Sequence, residues 1–160
     1  MPGIARLLRR IGLTALQSYE HPSLGTFERD AHRTSLFVRE VDWCGGRILL
    51  ILDGGEDPTR EKLEQAAAHF LAMREIDDLV VDCARDTAGS DLFAKWLFDW
   101  DGDEDVSLAQ WKQRCHVERL FLSPEGEVLV DFAFNETFEN HRVSVTGKAN
   151  IDFREAFLSV

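Results

Sequence analysis

Carboxylates are the residues most densely placed for chemistry in this sequence, and the densest group occupies one short segment. Five acids fall between positions 99 and 105: Asp99, Asp101, Asp103, Glu104 and Asp105. Alternating carboxylates are typical of calcium loops, but an EF-hand loop beginning at Asp99 needs glycine at its sixth position and glutamate at its twelfth. Glu104 and Gln110 stand there instead. We therefore predict no metal site and interpret the segment as an acidic surface that docks a protein partner.

A second polar group consists of Glu136, Glu139 and His141. Two carboxylates and a histidine can act as general acid and base, so a small hydrolase or a metal-assisted enzyme is the alternative function. Polar side chains are also ordinary in loops. Cys115 and His116 are adjacent, so on a strand they point to opposite faces and cannot pair as nucleophile and base. The sequence leaves catalysis open and predicts no cofactor.

Composition sets the class of protein. The chain has 160 residues, 44% of them hydrophobic, which is enough for one globular domain over residues 1–160. Its three cysteines have no C-x-x-C spacing, as expected in a reducing cytosol. A net charge of −11 repels phosphate backbones and attracts basic partners, which argues against nucleic acid as a ligand.

The N-terminal segment differs in charge from the rest. Arg6, Arg9 and Arg10 interrupt apolar residues that follow helical spacing, so we expect an amphipathic helix over residues 1–18, before an α+β core over 20–155. The arginines also break the apolar run that a secretory signal needs. No run reaches the length of a membrane span, and we expect a cytoplasmic protein.

The first half of the core predicts three strands, at residues 23–30, 35–43 and 47–53. The last two flank a link with two glycines that suits a hairpin. Residues 48–52 are apolar on both faces, so this strand is expected to be central.

Helical patterns follow over about residues 58–100. Asp57 is the expected N-cap and Pro58 the first residue of one helix. A second helical region covers about residues 76–84, and Ser90 can cap a third. The third places large apolar side chains on one side, as is typical of a core: Leu92, Phe93, Trp96, Leu97 and Trp100.

The C-terminal half predicts a short helix and then a hairpin. Ser107 begins a capping-box pattern. Apolar residues then alternate over 116–122 and 128–134, around a turn in which Pro124 supplies a fixed negative φ and Gly126 a positive one.

A last alternating strand, residues 141–147, completes the pattern. Strands, then helices, then strands predict an α+β fold with a largely antiparallel sheet of five to six strands. The helices of residues 58–100 are expected on one face. The predicted order is strand, strand, strand, helix, helix, strand, strand, strand, after the N-terminal helix.

Four short motifs also occur in a fixed order. They are His21-Pro22-x-Leu24-Gly25-Thr26-Phe27, Leu52-Asp53-Gly54-Gly55-Glu56-Asp57, Ser123-Pro124-Glu125-Gly126 and His141-Arg142-Val143-Ser144-Val145-x-Gly147. Together they resemble the bacterial family catalogued as domain of unknown function 2262, over about residues 20–152. The resemblance implies an interaction protein similar to candidate immunity proteins, which bind and neutralise a partner. It carries over no catalytic residues.

The leading hypothesis is therefore a cytoplasmic interaction module, immunity-like in form, that docks a basic protein partner on the acidic segment. The enzyme that uses Glu136, Glu139 and His141 is the alternative. Self-association is the third possibility, because strands at a sheet edge make a homodimer easy to form.

Overall fold

The computed structural model describes residues 15–100, 102–134 and 141–160, which form an α+β architecture of one sheet and three helices. The strands are β1 (Ser18–His21), β2 (Gly25–Arg29), β3 (Leu36–Trp43), β4 (Gly46–Asp53), β5 (Cys115–Leu122), β6 (Glu127–Phe134), β7 (Arg142–Lys148) and β8 (Asp152–Ser159). The helices are α1 (Arg60–Arg74), α2 (Asp77–Asp99) and α3 (Leu108–Gln113).

The sheet places its strands side by side in chain order. All neighbours are antiparallel except β4 and β5, which are parallel. Parallel neighbours need a long crossover connection, and the three helices supply it. The predicted central position of the strand at residues 47–53 is confirmed, because β4 lies between β3 and β5.

The prediction of five to six strands is wrong, since the described residues form eight. The two missed strands, β1 and β8, are the edges of the sheet. The exposed charged side chains of β8 obscure the alternation of apolar and polar residues that would predict a strand. Its pairing with β7 identifies it. Its edge is also held by α2, because the Ala156 backbone N–H donates to Asp91 Oδ2 at 2.8 Å.

The predicted N-terminal helix lies mostly outside the described residues. Its expected end at residue 18 is wrong, because Ser18 begins β1. The next residue, Tyr19, is buried and pairs with Phe27 of β2. No helix within the described ranges is long and apolar enough to cross a membrane.

Two helix boundaries differ from the sequence predictions. The N-cap of α1 is Thr59, whose hydroxyl accepts from the Lys62 N–H, so Asp57 and Pro58 precede the helix. The helical regions predicted at 76–84 and after Ser90 are one continuous helix, α2. Gly89 lies inside it because α3 packs there, and a Cβ on Gly89 would come within 2.9 Å of Leu108. This glycine allows close helix packing and does not end a helix.

The hairpin turn and the capping box are confirmed. Gly126 has a φ of +78° and donates its N–H to the Ser123 carbonyl at 3.1 Å. The His69 ring of α1 contacts this turn, with Nε2 3.1 Å from the Pro124 carbonyl oxygen. At the start of α3, Ser107 and Gln110 exchange the expected side-chain hydrogen bonds.

The strand register gives the sheet two different faces. Leu50, Leu120, Val130 and Val145 lie opposite one another across β4 to β7, and all are buried in the core that contains the helices. The neighbouring row points the other way, because side chains alternate along a strand. It contains Leu49, Arg119, Asp131 and Ser144.

Candidate functional site

The acidic segment begins at the C-terminal end of α2. Asp99 is the last helical residue, and Asp103, Glu104 and Asp105 follow in an exposed loop; Asp101 lies outside the described residues. The Gly102 N–H donates to the Trp96 carbonyl at 3.1 Å, and Asp103 Oδ1 accepts from the Asp105 N–H at 3.0 Å. The loop is therefore tied to the helix that precedes it.

The end of α2 concentrates negative charge. Backbone carbonyls at a helix C-terminus carry a partial negative charge, which basic residues in the last turn normally offset. The last turn of α2 has no basic residue and ends in Asp99. Beside it, Phe98 is 81% exposed, although it belongs to a helix whose other aromatic side chains face inward. Phe98 was not predicted from the sequence as part of a site, because it falls outside the apolar stripe that includes Trp96.

The second predicted group is only partly described. Glu136 and Glu139 lie outside the described residues, so their role as acid and base stays a prediction. His141 is described, and its ring contacts Trp100 edge-on at a centroid distance of 5.5 Å. Since Trp100 is the C-cap residue of α2, His141 lies close to the start of the acidic segment.

Cysteine chemistry is disfavoured at two of the three thiols. Burial raises the pKa of Cys115 to about 12. Burial, together with Asp77 and Asp78, raises the pKa of Cys44 to about 12. Both thiols therefore stay protonated at neutral pH, where the protonated form is a poor nucleophile. Within the described ranges, no group of three or more His, Cys, Asp and Glu side chains could hold a metal ion.

A cavity of about 780 Å³ lies on the face of the sheet opposite the helices. Arg119, Asp131 and Ser144 form part of its lining, together with Arg33 from the connection between β2 and β3 and with Asp53 and Glu56. None of the lining residues belongs to the site predicted from the sequence. The missed signal was Asp131, an isolated acid within the otherwise apolar strand of residues 128–134.

The polar groups in the cavity form one connected network. Arg119 Nε donates to Asp131 Oδ2 at 3.0 Å, and Arg119 Nη2 lies 2.7 Å from the same oxygen in an ion pair. Ser144 Oγ donates to Asp131 Oδ1 at 2.6 Å and lies 2.6 Å from Ser159 Oγ. Asp131 is only 2% exposed and Ser144 is fully buried. Cross-strand pairing brings these side chains together, because Arg119, Asp131 and Ser144 are direct neighbours in the sheet.

Comparison with known proteins gives a family and no characterised relative. The chain matches the family model DUF2262, described as an uncharacterized protein conserved in bacteria, over residues 21–158. This match confirms the resemblance drawn from the four motifs. No curated protein and no solved structure matches the chain.

Proposed function

The chain belongs to the DUF2262 family of bacterial proteins, and we propose from its surface that it is a binding protein for a basic protein partner. The docking surface consists of Phe98 and Asp99 with the acids of the following loop, Asp101, Asp103, Glu104 and Asp105. In the narrower form of this proposal the protein is immunity-like, and its partner is a toxin that it neutralises.

The observation that carries the proposal is an exposed aromatic side chain placed directly beside the acidic segment. Acidic groups speed encounter with a basic partner but contribute less to affinity after contact. Affinity comes mainly from a few large side chains that become buried in the interface. Phe98 is 81% exposed, so its ring is available to a partner. Charge and apolar area thus lie together at one end of α2.

The net charge supports the same proposal. At −11, the protein attracts basic molecules from a distance, and the field is strongest where acids are concentrated. The end of the α2 dipole adds to the field of Asp99. A basic partner would neutralise both the charge of Asp99 and the partial negative charge at the end of α2.

The test measures binding to the purified protein that is encoded by the gene adjacent to the one for this protein. One variant removes four charges from the docking surface: Asp99→Asn, Asp103→Asn, Glu104→Gln and Asp105→Asn. A matched variant removes four charges from exposed positions elsewhere: Glu20→Gln, Glu28→Gln, Glu75→Gln and Glu125→Gln. We expect the first variant to lower the association rate at least ~10-fold at low salt and the matched variant to lower it much less.

Phe98→Ser tests the apolar part separately. It should speed dissociation about 10-fold or more while leaving the association rate nearly unchanged, because the ring acts only after contact. Equal effects of the two four-charge variants would mean that only total charge matters and would contradict this docking surface. An unchanged dissociation rate in Phe98→Ser would remove the ring from the interface.

A further inference from the structure

The cavity on the face of the sheet opposite α1, α2 and α3 has features that the proposed docking surface does not use. Its volume of about 780 Å³ lies within the range of small-molecule sites. Its base is polar, at Arg119, Asp131 and Ser144, whereas Leu36, Leu129 and Phe157 supply apolar walls. Apolar walls around a few fixed polar groups are typical of small-molecule sites.

An ion pair is not the arrangement that stability alone favours at this position. Burying two charges removes them from water, and apolar side chains of similar volume are often at least as stabilising. Asp131 is 2% exposed, whereas the nearest residues of β6 on the same face, Leu129 and Ala133, are apolar. A charged pair at this position, at the base of a cavity, points to binding.

The network fixes the guanidinium of Arg119 and leaves one edge of it open. Asp131 engages Nε and Nη2, and the guanidinium carbon lies 5.7 Å from the ring centroid of Phe121. In the described part of the chain, Arg119 Nη1 makes no hydrogen bond. The Ser144 hydroxyl donates its one hydrogen bond to Asp131 Oδ1, so the Ser159 hydroxyl is the donor in the hydrogen bond between the two serines. The O–H groups of both serines are therefore already used within the network. The remaining N–H groups of Arg119 are the donors at the cavity base.

Shape and charge narrow the class of ligand. The open edge of a guanidinium presents parallel N–H groups that match a planar carboxylate. The cavity lining contains three carboxylates, Asp53, Glu56 and Asp131, against the two guanidinium groups of Arg33 and Arg119, so a second negative charge on the ligand would add to a net negative lining. A monoanion is therefore favoured over a phosphate dianion. The cavity is also too large for a small inorganic ion, and its apolar walls fit a hydrocarbon body.

We propose that this cavity binds a small monocarboxylate with an apolar body of about the size of an aromatic ring, held by Arg119 at its carboxylate and by Leu129 and Phe157 at its body. The protein would thus have a ligand site on the face of the sheet opposite the helices, separate from the acidic end of α2.

The experiment titrates the folded protein with three probes and follows backbone amide chemical shifts. The probes are 3-phenylpropanoate, its neutral analogue 3-phenylpropanamide, and inorganic phosphate. We expect saturable shifts around Arg119, Ser144 and Phe157 with the carboxylate, at least ~10-fold weaker binding of the amide, and weaker binding still of phosphate. No saturable shifts up to ~10 mM carboxylate, or equal binding of carboxylate and amide, would overturn the proposal.

A paired variant keeps the test valid if the single change unfolds the protein. Arg119→Gln with Asp131→Asn removes the donor edge without leaving a buried charge unpaired. It should bind carboxylate and amide equally weakly, whereas Arg47→Gln, at an exposed ion pair with Glu40, should keep the wild-type preference. Retention of the carboxylate preference by the folded paired variant would assign the binding to another site and refute the role of Arg119.

Discussion

The two faces of the sheet are built from the same strands, yet neighbouring rows of residues have opposite character. On the helix-covered face, the row through Leu50, Leu120 and Val130 is apolar and fully buried. On the other face, the adjacent row contains Arg119 and Asp131, and a cavity lies over it. One face thus buries a continuous apolar row, whereas the other buries an ion pair, which is often no more stabilising than apolar side chains of similar volume.

The largest expected effect comes from two adjacent leucines of β4, which point to opposite faces. Leu50→Ala should lower the free energy of unfolding by about 3 kcal/mol, because it leaves a cavity in a fully buried core. Leu49→Ala is the matched control and should lower the free energy of unfolding by only about 1 kcal/mol, since this side chain is half-buried on the cavity-bearing face of the sheet. Urea unfolding of both variants measures the difference. Equal losses of unfolding free energy would mean that the cavity-bearing face contributes to stability as much as the helix-covered face.

The next effect concerns the ion pair of Arg119 and Asp131 on the cavity-bearing face. Arg119→Gln should lower the free energy of unfolding by about 2 kcal/mol, because it leaves the buried Asp131 carboxylate without its cation. The double variant Arg119→Met with Asp131→Leu should regain that loss and lie within about 1 kcal/mol of the wild type. The same urea unfolding experiment applies. A double variant less stable than the single one would show that the pair is structural, and the contrast between the faces would fail.

The smallest effect concerns the connection between β2 and β3, which lines part of the cavity, and it depends on pH. Asp30 Oδ1 accepts from the Arg33 N–H at 2.7 Å and the His32 N–H at 2.9 Å. The hydrogen bond from Arg33, and then that from His32, lowers the pKa of Asp30 below its ordinary value of 3.8. The stabilisation of this loop by the Asp30 carboxylate is therefore complete at pH values above the ordinary pKa. It is lost as the pH falls through the lower pKa of the folded state.

Amide shifts of His32 and Arg33 measured from about pH 6 down to about pH 2 should reveal this transition. Asp30→Asn is the control, because an amide oxygen can accept the same two bonds without titrating. A transition of the same size in this variant would assign the change to another group.

Much of the fold followed from local patterns. The hairpin around Pro124 and Gly126 was predictable because the turn requires one fixed negative φ and one positive φ. The capping box at Ser107 and the buried Trp96 were predictable for similar local reasons. The separate third helix predicted from Ser90 was wrong, because Gly89 serves a contact with α3 inside one continuous helix.

The candidate sites divide in the same way. The acids of residues 99–105 could be found in the sequence because they are neighbours in the chain. Phe98 could be recognised as exposed only once the orientation of α2 was known. The network of Arg119, Asp131 and Ser144 joins three strands, and no spacing along the chain brings these residues together.

The sequence by itself determined the fold class, the family, the central hairpin and the acidic character of the surface, because each depends on composition or on residues close in the chain. Only the tertiary structure decided the number of strands, the continuity of α2 and the position of the cavity. Each of these depends on strand register and helix packing. A shift of one residue in register would move Asp131 to the opposite face of the sheet.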